Sequence, residues 1–184
     1  VCIHHKDVLL FYLSSLHPAP NSLRIVGNLP YNISSPLLFR LFNELHLIKD
    51  MHFMLQKEVV LRMTAAVGSK NYNRLSIMTQ YFCHNELLFD VDRNAFSPPP
   101  RVDSCIVRMS PKSQDSPAQN IDILSDVVKT AFTHRRKTLQ NCFKGIINEE
   151  ALLQLGINPK ARPQELTVAE FVKISNFRYG MQNN

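Results

Sequence analysis

The chain has 184 residues, 45% of them hydrophobic and 20% charged, with a net charge of +6 and a pI near 9.3. That length carries one domain with a full core, or one domain plus a small appendage. It holds no apolar stretch long enough to span a bilayer, and Val1-Cys2-Ile3-His4-His5 lacks the basic and apolar regions of a secretory signal. The positive charge suits a polyanionic partner, because Lys and Arg displace counterions from phosphates.

Val1 to His4 reads as the end of a strand, with Asp7 just past it to cap the segment from Val8 to Leu16. A first residue that is not Met, on a strand with nothing before it, is expected of a chain whose beginning is missing. His17 to Ser22 is a loop by composition. Leu23 to Val26 is a short buried-type strand. Ser34 or Ser35 is a candidate helix N-cap with Pro36 at the first helical position, and Leu37, Leu38, Leu41, Phe42 and Leu45 follow at helical spacing. His52 to Leu55 predicts a strand, Lys57 to Ala66 a helix and Gly68 to Asn73 a polar loop. Leu75 to Phe82 is apolar and compatible with helix or strand. Leu87 to Val91 predicts a strand. Phe96-Ser97-Pro98-Pro99-Pro100 leaves it as an extended segment, and Asp103 to Met109 alternates as a final strand.

Residues 111–120 form a polar linker with two prolines and no periodicity. Beyond it the pattern is helical: Ile121 to Thr133, Arg135 to Ile147, Ala151 to Leu155 and Val168 to Phe177. The expected architecture is therefore α/β over residues 1–110, a linker over 111–120 and a small α-helical domain over 121–184. Cys2, Cys83, Cys105 and Cys142 form no C-x-x-C pair and have no zinc-ligand spacing with the seven histidines. They read as reduced thiols of a cytosolic protein with no metal.

The stretch Gly27-Asn28-Leu29-Pro30-Tyr31 joins a strand to a helix. The carboxyl ends of parallel strands are where open α/β sheets bind ligands. Asn28 brings a side-chain carbonyl. Pro30 has no N–H and biases Leu29 toward an extended conformation, so the carbonyls of Leu29 and Pro30 are expected to point outward. Tyr31 adds a flat ring. Acceptors beside an aromatic platform suit the exocyclic amine of a base. An adenine N6 amine is a poor nucleophile because its lone pair is delocalised. Hydrogen bonds from its two N–H groups to Asn28 and a backbone carbonyl favour a pyramidal nitrogen with a freer lone pair, while stacking holds the base. No formal base is needed before attack. Phe96, on its stiff proline-rich segment, is a second aromatic able to close the other face. The plainer alternatives are a strand-exit turn for Asn-Leu-Pro-Tyr and a core side chain for Phe96.

Five ordered blocks span nearly the whole chain: G-N-L-P-Y-N-I-S-S-P-L-L-F, M-H-F-M-L-Q-K-E-V-V-L-R, N-R-L-S-I-M-T-Q-Y-F, A-F-S-P-P-P-R-V-D-S and F-T-H-R-R-K-T-L-Q-N. In these blocks the sequence resembles the KsgA family of bacterial small-subunit rRNA adenine dimethyltransferases. The resemblance implies a Rossmann-like methyltransferase domain, here partial, with a small C-terminal helical domain. It implies S-adenosylmethionine as methyl donor, and dimethylation of N6 on two adjacent adenosines near the 3′ end of 16S rRNA by a cytoplasmic monomer. By the same resemblance Asn28, Leu29, Pro30 and Tyr31 are the catalytic loop, with Asn28 also against the donor. Tyr31 and Phe96 stack the base, and Asp7 contacts the donor's adenine amine unless it is only a helix cap. Arg135, Arg136 and Lys137 are expected to open a helix and contact rRNA phosphates, which position without specifying sequence. Gln56-Lys57-Glu58 is expected to be structural.

The family's glycine-rich donor loop and the acidic strand end after it have no counterpart among these 184 residues, whose five glycines are scattered. The 184 residues alone are therefore expected to be unstable or inactive. Two other readings stay open: a non-catalytic ribosome-assembly factor that keeps the RNA-binding face, and a large-subunit rRNA adenine methyltransferase. Asn73 stands where the family has Gly, in a turn that Asn tolerates at positive φ.

Overall fold

The computed structural model describes residues 1–30 and 32–183. They form two compact units, Val1–Leu61 with Phe82–Lys112, and Arg62–Tyr81 with Ser113–Asn184.

The first unit is built on a four-stranded sheet. The apolar run after Ser22 continues two residues further than its hydrophobicity indicates, as β1 (Leu23–Asn28). It pairs in parallel with β2 (Ile48–Gln56), which sets Asn28 beside Met54. Antiparallel to β2 runs β4 (Ser104–Pro111), and antiparallel to that β3 (Cys83–Val91), so the order is β1-β2-β4-β3. Alternation decides what is inside: Met51, Phe53 and Leu55 of β2 and Cys105, Val107 and Met109 of β4 are buried.

Helix α1 (Ser34–Phe42) buries Leu37, Leu38, Leu41 and Phe42. Its cap position is Ile33, which makes no side-chain cap bond, rather than Ser34 or Ser35. Pro36 is thus third in the helix, where the missing N–H has no intrahelical partner to lose. Phe42 stacks on Phe82 at 4.5 Å between centroids.

The strand expected at Val1–His4 does not form; Val1 and Ile3 are exposed and lie in no ladder. β-propensity expresses packing against a neighbouring strand, and the described residues supply none here. Further on, the 3-10 turn Leu13–Leu16 is held by Glu44, whose carboxylate accepts the N–H groups of Leu13 and Ser14 at 3.0 Å each.

Helix α2 (Lys57–Met63) is three residues shorter than the pattern indicates, and the ambiguous stretch from Leu75 forms α3 (Arg74–Phe82). Asn73 decides that outcome. Its Oδ1 accepts the N–H of Leu75 at 2.8 Å, while its own N–H donates to Ser76 Oγ at 2.9 Å, a reciprocal cap. Asn73 is not among the positive-φ residues, so it serves as a cap and not as a glycine substitute.

Residues 62–81, read from sequence with the α/β portion, pack with the C-terminal segment in the second unit. The Tyr72 hydroxyl donates to the Leu166 carbonyl at 3.0 Å, and the Gly68 N–H to Gln164 at 2.8 Å. The helices here are α4 (Ile121–Thr133), α5 (Leu139–Cys142), α6 (Glu149–Gln154) and α7 (Val168–Asn183). Asn120 and Asn148 cap α4 and α6. The helix expected over Arg135–Ile147 is broken: residues 134–137 turn, only Leu139–Cys142 is α-helical, and Gly145 at φ +79° ends the run. The linker is not free either. Gln119 N–H donates to Asn176 Oδ1 at 2.8 Å, Asn176 Nδ2 donates to the Pro117 carbonyl at 3.1 Å, and Ala118 N–H donates to the Tyr81 hydroxyl at 3.1 Å.

Candidate active site

The first unit holds a cleft of about 260 Å³ at the carboxyl end of β1 and β2. Asn28, Leu29 and Pro30 form one wall, Met54 of β2 the floor, and Phe96, Pro98 and Pro100 the opposite wall, with Ser104 at the foot of β4. Clefts for drug-sized ligands start at roughly 300 Å³, so this one lies just below that range.

The wall at the exit of β1 is rigid for local reasons. Leu29 is buried and its N–H donates to the Met54 carbonyl at 3.3 Å, extending the parallel ladder one residue beyond Asn28. Gly27 lies beneath. A Cβ there would stand 3.1 Å from Leu29 Cδ2 and under 4 Å from the Phe53 ring, so the chain passes where only glycine fits freely. Asn28 is exposed at the strand end, in place to offer its side-chain carbonyl. The Pro30 carbonyl, expected to point outward unpaired, instead accepts the N–H of Ile33 at 3.2 Å. Tyr31 lies outside the described residues.

The opposite wall rests on a short turn. Asp92 accepts the Asn94 N–H at 2.7 Å, and Phe96 leaves the turn extended at φ −116°, ψ 149°, half-buried. Asn28, Leu29 and Pro30 thus line one cleft with Phe96, 66 residues further along the chain. Met54, Pro98, Pro100 and Ser104 are lining residues that the sequence reasoning did not single out. The signal for Met54 was the parallel pairing itself, since the strand beside β1 must present a residue at the same level. Among the described residues the lining carries no ionisable side chain.

Asp7 does not line the cleft. It is exposed in a turn of its own, and its Oδ1 accepts the Leu9 N–H at 2.9 Å. In the second unit Arg135, Arg136 and Lys137 lie on the turn between α4 and α5 and not on a helix. They differ in role: Arg136 and Lys137 are exposed, whereas Arg135 is half-buried and donates to the Lys70 carbonyl at 2.7 Å.

The α/β sheet, with a cleft at its parallel strand ends, shares the Rossmann-like fold of rRNA methyltransferases. Solved structures bear out the fold. A dimethyladenosine transferase from Plasmodium falciparum superposes with a TM-score of 0.76 at 31% identity, over 87% of this chain and 67% of that one. The 23S rRNA methyltransferase ErmE does so at 0.64 and 23% identity, over 95% and 70%, a likeness of fold alone. The family model described as "Ribosomal RNA adenine dimethylase" matches residues 1–179, and the chain belongs to that family. Similar relatives are the ribosomal RNA small subunit methyltransferases A of Coxiella burnetii, 58% identical over 177 residues, and of Pseudomonas fluorescens, 49% identical over 175. These alignments take in 96% and 95% of this chain, and 68% and 64% of the relatives. The chain spans about two thirds of the length of the relatives it matches.

Proposed function

We propose that this chain presents an adenine N6 amine of small-subunit ribosomal RNA for methylation by S-adenosylmethionine. The targets are two adjacent adenosines near the 3′ end of 16S rRNA, and the setting is ribosome biogenesis in the cytoplasm. The carrying observation is the cleft itself: an acceptor-bearing strand end faces an aromatic wall, with no ionisable group among the described lining residues. Such a site holds an amine by its N–H groups and leaves the lone pair as nucleophile. Asn28 accepts one N–H of the base, and a backbone carbonyl of the loop accepts the other. The bond from Ile33 to the Pro30 carbonyl makes Leu29 the better candidate for that carbonyl. Phe96 covers one face of the ring, and Tyr31 is assigned to the other.

The donor supplies an electrophilic methyl group on a sulfonium. Two groups of this chain have the chemistry to hold it. Asn28 is exposed at the strand end, and Asp7 is exposed with one carboxylate oxygen engaged by Leu9, leaving the other to accept from an amine. Arg136 and Lys137 supply phosphate contacts, and the RNA-bound protein acts as a monomer.

The test is a chimera in which this chain replaces the matching two thirds of the Coxiella burnetii relative, given methyl-labelled S-adenosylmethionine and small ribosomal subunits that lack the modification. Label on adenine N6 that disappears in Asn28→Ala is expected. Label on another base, or label that survives Asn28→Ala, refutes the assignment. Subunit binding without any label would favour the assembly-factor reading instead.

A further inference from the structure

Lys57 opens α2 directly after β2. Its backbone N–H donates to the Asp103 carbonyl at 2.9 Å, carrying the β2–β4 ladder one residue past the Gln56–Ser104 pair. On the other flank of β4, a register shift between Leu87 and Phe89 sets Asp90 opposite Cys105. The Asp90 carboxylate receives two donors: the Lys57 ammonium at 2.6 Å and the Cys105 thiol at 2.9 Å. An ammonium from the end of β2 and a carboxylate from β3 therefore meet across β4. They do so where β4 emerges from the segment that carries Phe96, Pro98 and Pro100. That segment has a second tie, because the Arg93 N–H faces Asp103 Oδ1 at 3.4 Å.

An exposed ion pair alone is a weak argument, since such pairs are usually neutral for stability. The third member changes this one. Cys105 is buried, and burial first, then the bond to Asp90, pushes its thiol up to about 12, so it stays protonated as a donor. The Cys105 thiol and the Lys57 ammonium hold the Asp90 carboxyl below the usual carboxylate range. The network has a fixed inner end and an outer end at the root of one wall of the cleft.

We propose that Lys57 and Asp90, braced by Cys105, are positioning residues for Phe96: they clasp the root of the 92–103 segment and hold the aromatic wall at the spacing of one planar base. The benefit to a bound base rests on the function proposed above; the positioning of Phe96 does not.

The chain has no tryptophan, so Phe96→Trp adds a single emitter on the wall. Adding Lys57→Met or Asp90→Asn should raise its acrylamide quenching about twofold or more, as expected of a locally released segment. The melting temperature should move by no more than about 4 °C, as for an exposed pair in a chain of this size. Lys57→Arg, which keeps a cation in reach of Asp90, should restore the parent value. Unchanged quenching in both Lys57→Met and Asp90→Asn, or a Lys57→Arg variant quenched as strongly as Lys57→Met, overturns the proposal. Lys57 is part-exposed, which keeps its variants readable if Asp90→Asn does not fold. An adenine-containing RNA hexamer added to the Phe96→Trp parent reads the stacking separately. No change in emission there sinks the base-stacking role of Phe96 and leaves the quenching result standing.

Discussion

Replacing Glu44 with Gln should release the N-terminal segment while leaving the sheet intact. Glu44 is 6% exposed, and its carboxylate accepts from Leu13, Ser14 and Arg40 at 3.0, 3.0 and 2.9 Å. Arg40 is fixed in turn by the Phe11 carbonyl at 3.2 Å and by the Tyr12 ring, 4.1 Å from its guanidinium carbon to the centroid. A glutamine keeps one acceptor and sets an NH₂ against an N–H or a guanidinium, so at least one charge-assisted bond is lost and the others weaken. A bond to a charged group is worth about 1.5–3 kcal/mol, and a stranded donor adds to the loss. We take about 3 kcal/mol, roughly a hundredfold in a local equilibrium. The assay is hydrogen exchange at the amides of Leu13, Ser14 and His17, which should speed up by that factor while those of Val107 and Met109 stay protected. Burial raises the carboxyl pKa, but the bonds from Ser14, Leu13 and Arg40 lower it by more, leaving it depressed. A depressed carboxylate stabilises above its unfolded pKa, near 4.3, and loses that contribution as pH falls through the folded value. The protection should therefore persist from neutral pH to about 4.5, fall off below it, and show no such step in Glu44→Gln. Unchanged exchange at Leu13 and Ser14, or an equal loss across β4, would refute the reasoning.

Gly27→Ala puts a methyl 3.1 Å from Leu29 Cδ2. A shift of a few tenths of an ångström at the strand exit should cost about tenfold in methyl transfer with a stability change below about 2 kcal/mol, so an unaltered rate would count against the tight exit. Tyr72→Phe strands the buried Leu166 carbonyl and should cost about 1–2 kcal/mol in a urea melt. Burial pushes the Tyr72 phenol up to about 12, so the folded state keeps a proton that the unfolded chain releases from about pH 10. Stability should fall between those values, and one tyrosine should ionise late in an ultraviolet titration. Arg136→Ala with Lys137→Ala should lower the salt slope of RNA binding by about 1.4; an unchanged slope excludes phosphate contact at that turn.

Where the sequence was legible, a local pattern had no strong competitor. The alternation of Cys105, Val107 and Met109 could only be a strand with one face in a core, and the Leu37-Leu38-Leu41-Phe42 spacing could only be a helix. Failures came where the deciding partner is distant. Val1-Cys2-Ile3 has strand chemistry, but no strand of the described residues pairs with it. The Arg135–Ile147 stretch has helical composition, yet a capping Thr138 position and a left-handed Gly145 cut it to four α-helical residues. The proline-rich linker reads as free because its anchors, Asn176 and Tyr81, lie 57 and 37 residues away.

The site divides along the same line. Asn28 and Phe96 announce their chemistry by type: an amide at a strand exit and a ring beside three prolines. What brings them together is the order β1-β2-β4-β3, which places the exits of β1 and of the β3–β4 connection on either side of Met54. No local pattern contains that order. Met54 and Ser104 were invisible as site residues because nothing in their side chains is special; only their level in the ladder is. The Pro30 carbonyl shows the converse limit. The missing N–H of Pro30 argues for an outward acceptor, but the turn into α1 engages its carbonyl through Ile33. Of the two loop carbonyls, Leu29 is therefore the one assigned to the proposed acceptor role beside Asn28. An amine held by one side-chain and one main-chain oxygen depends on the path of the backbone as much as on Asn28. A residue that fixes the path, such as Gly27, should then matter to catalysis nearly as much as one that touches the base.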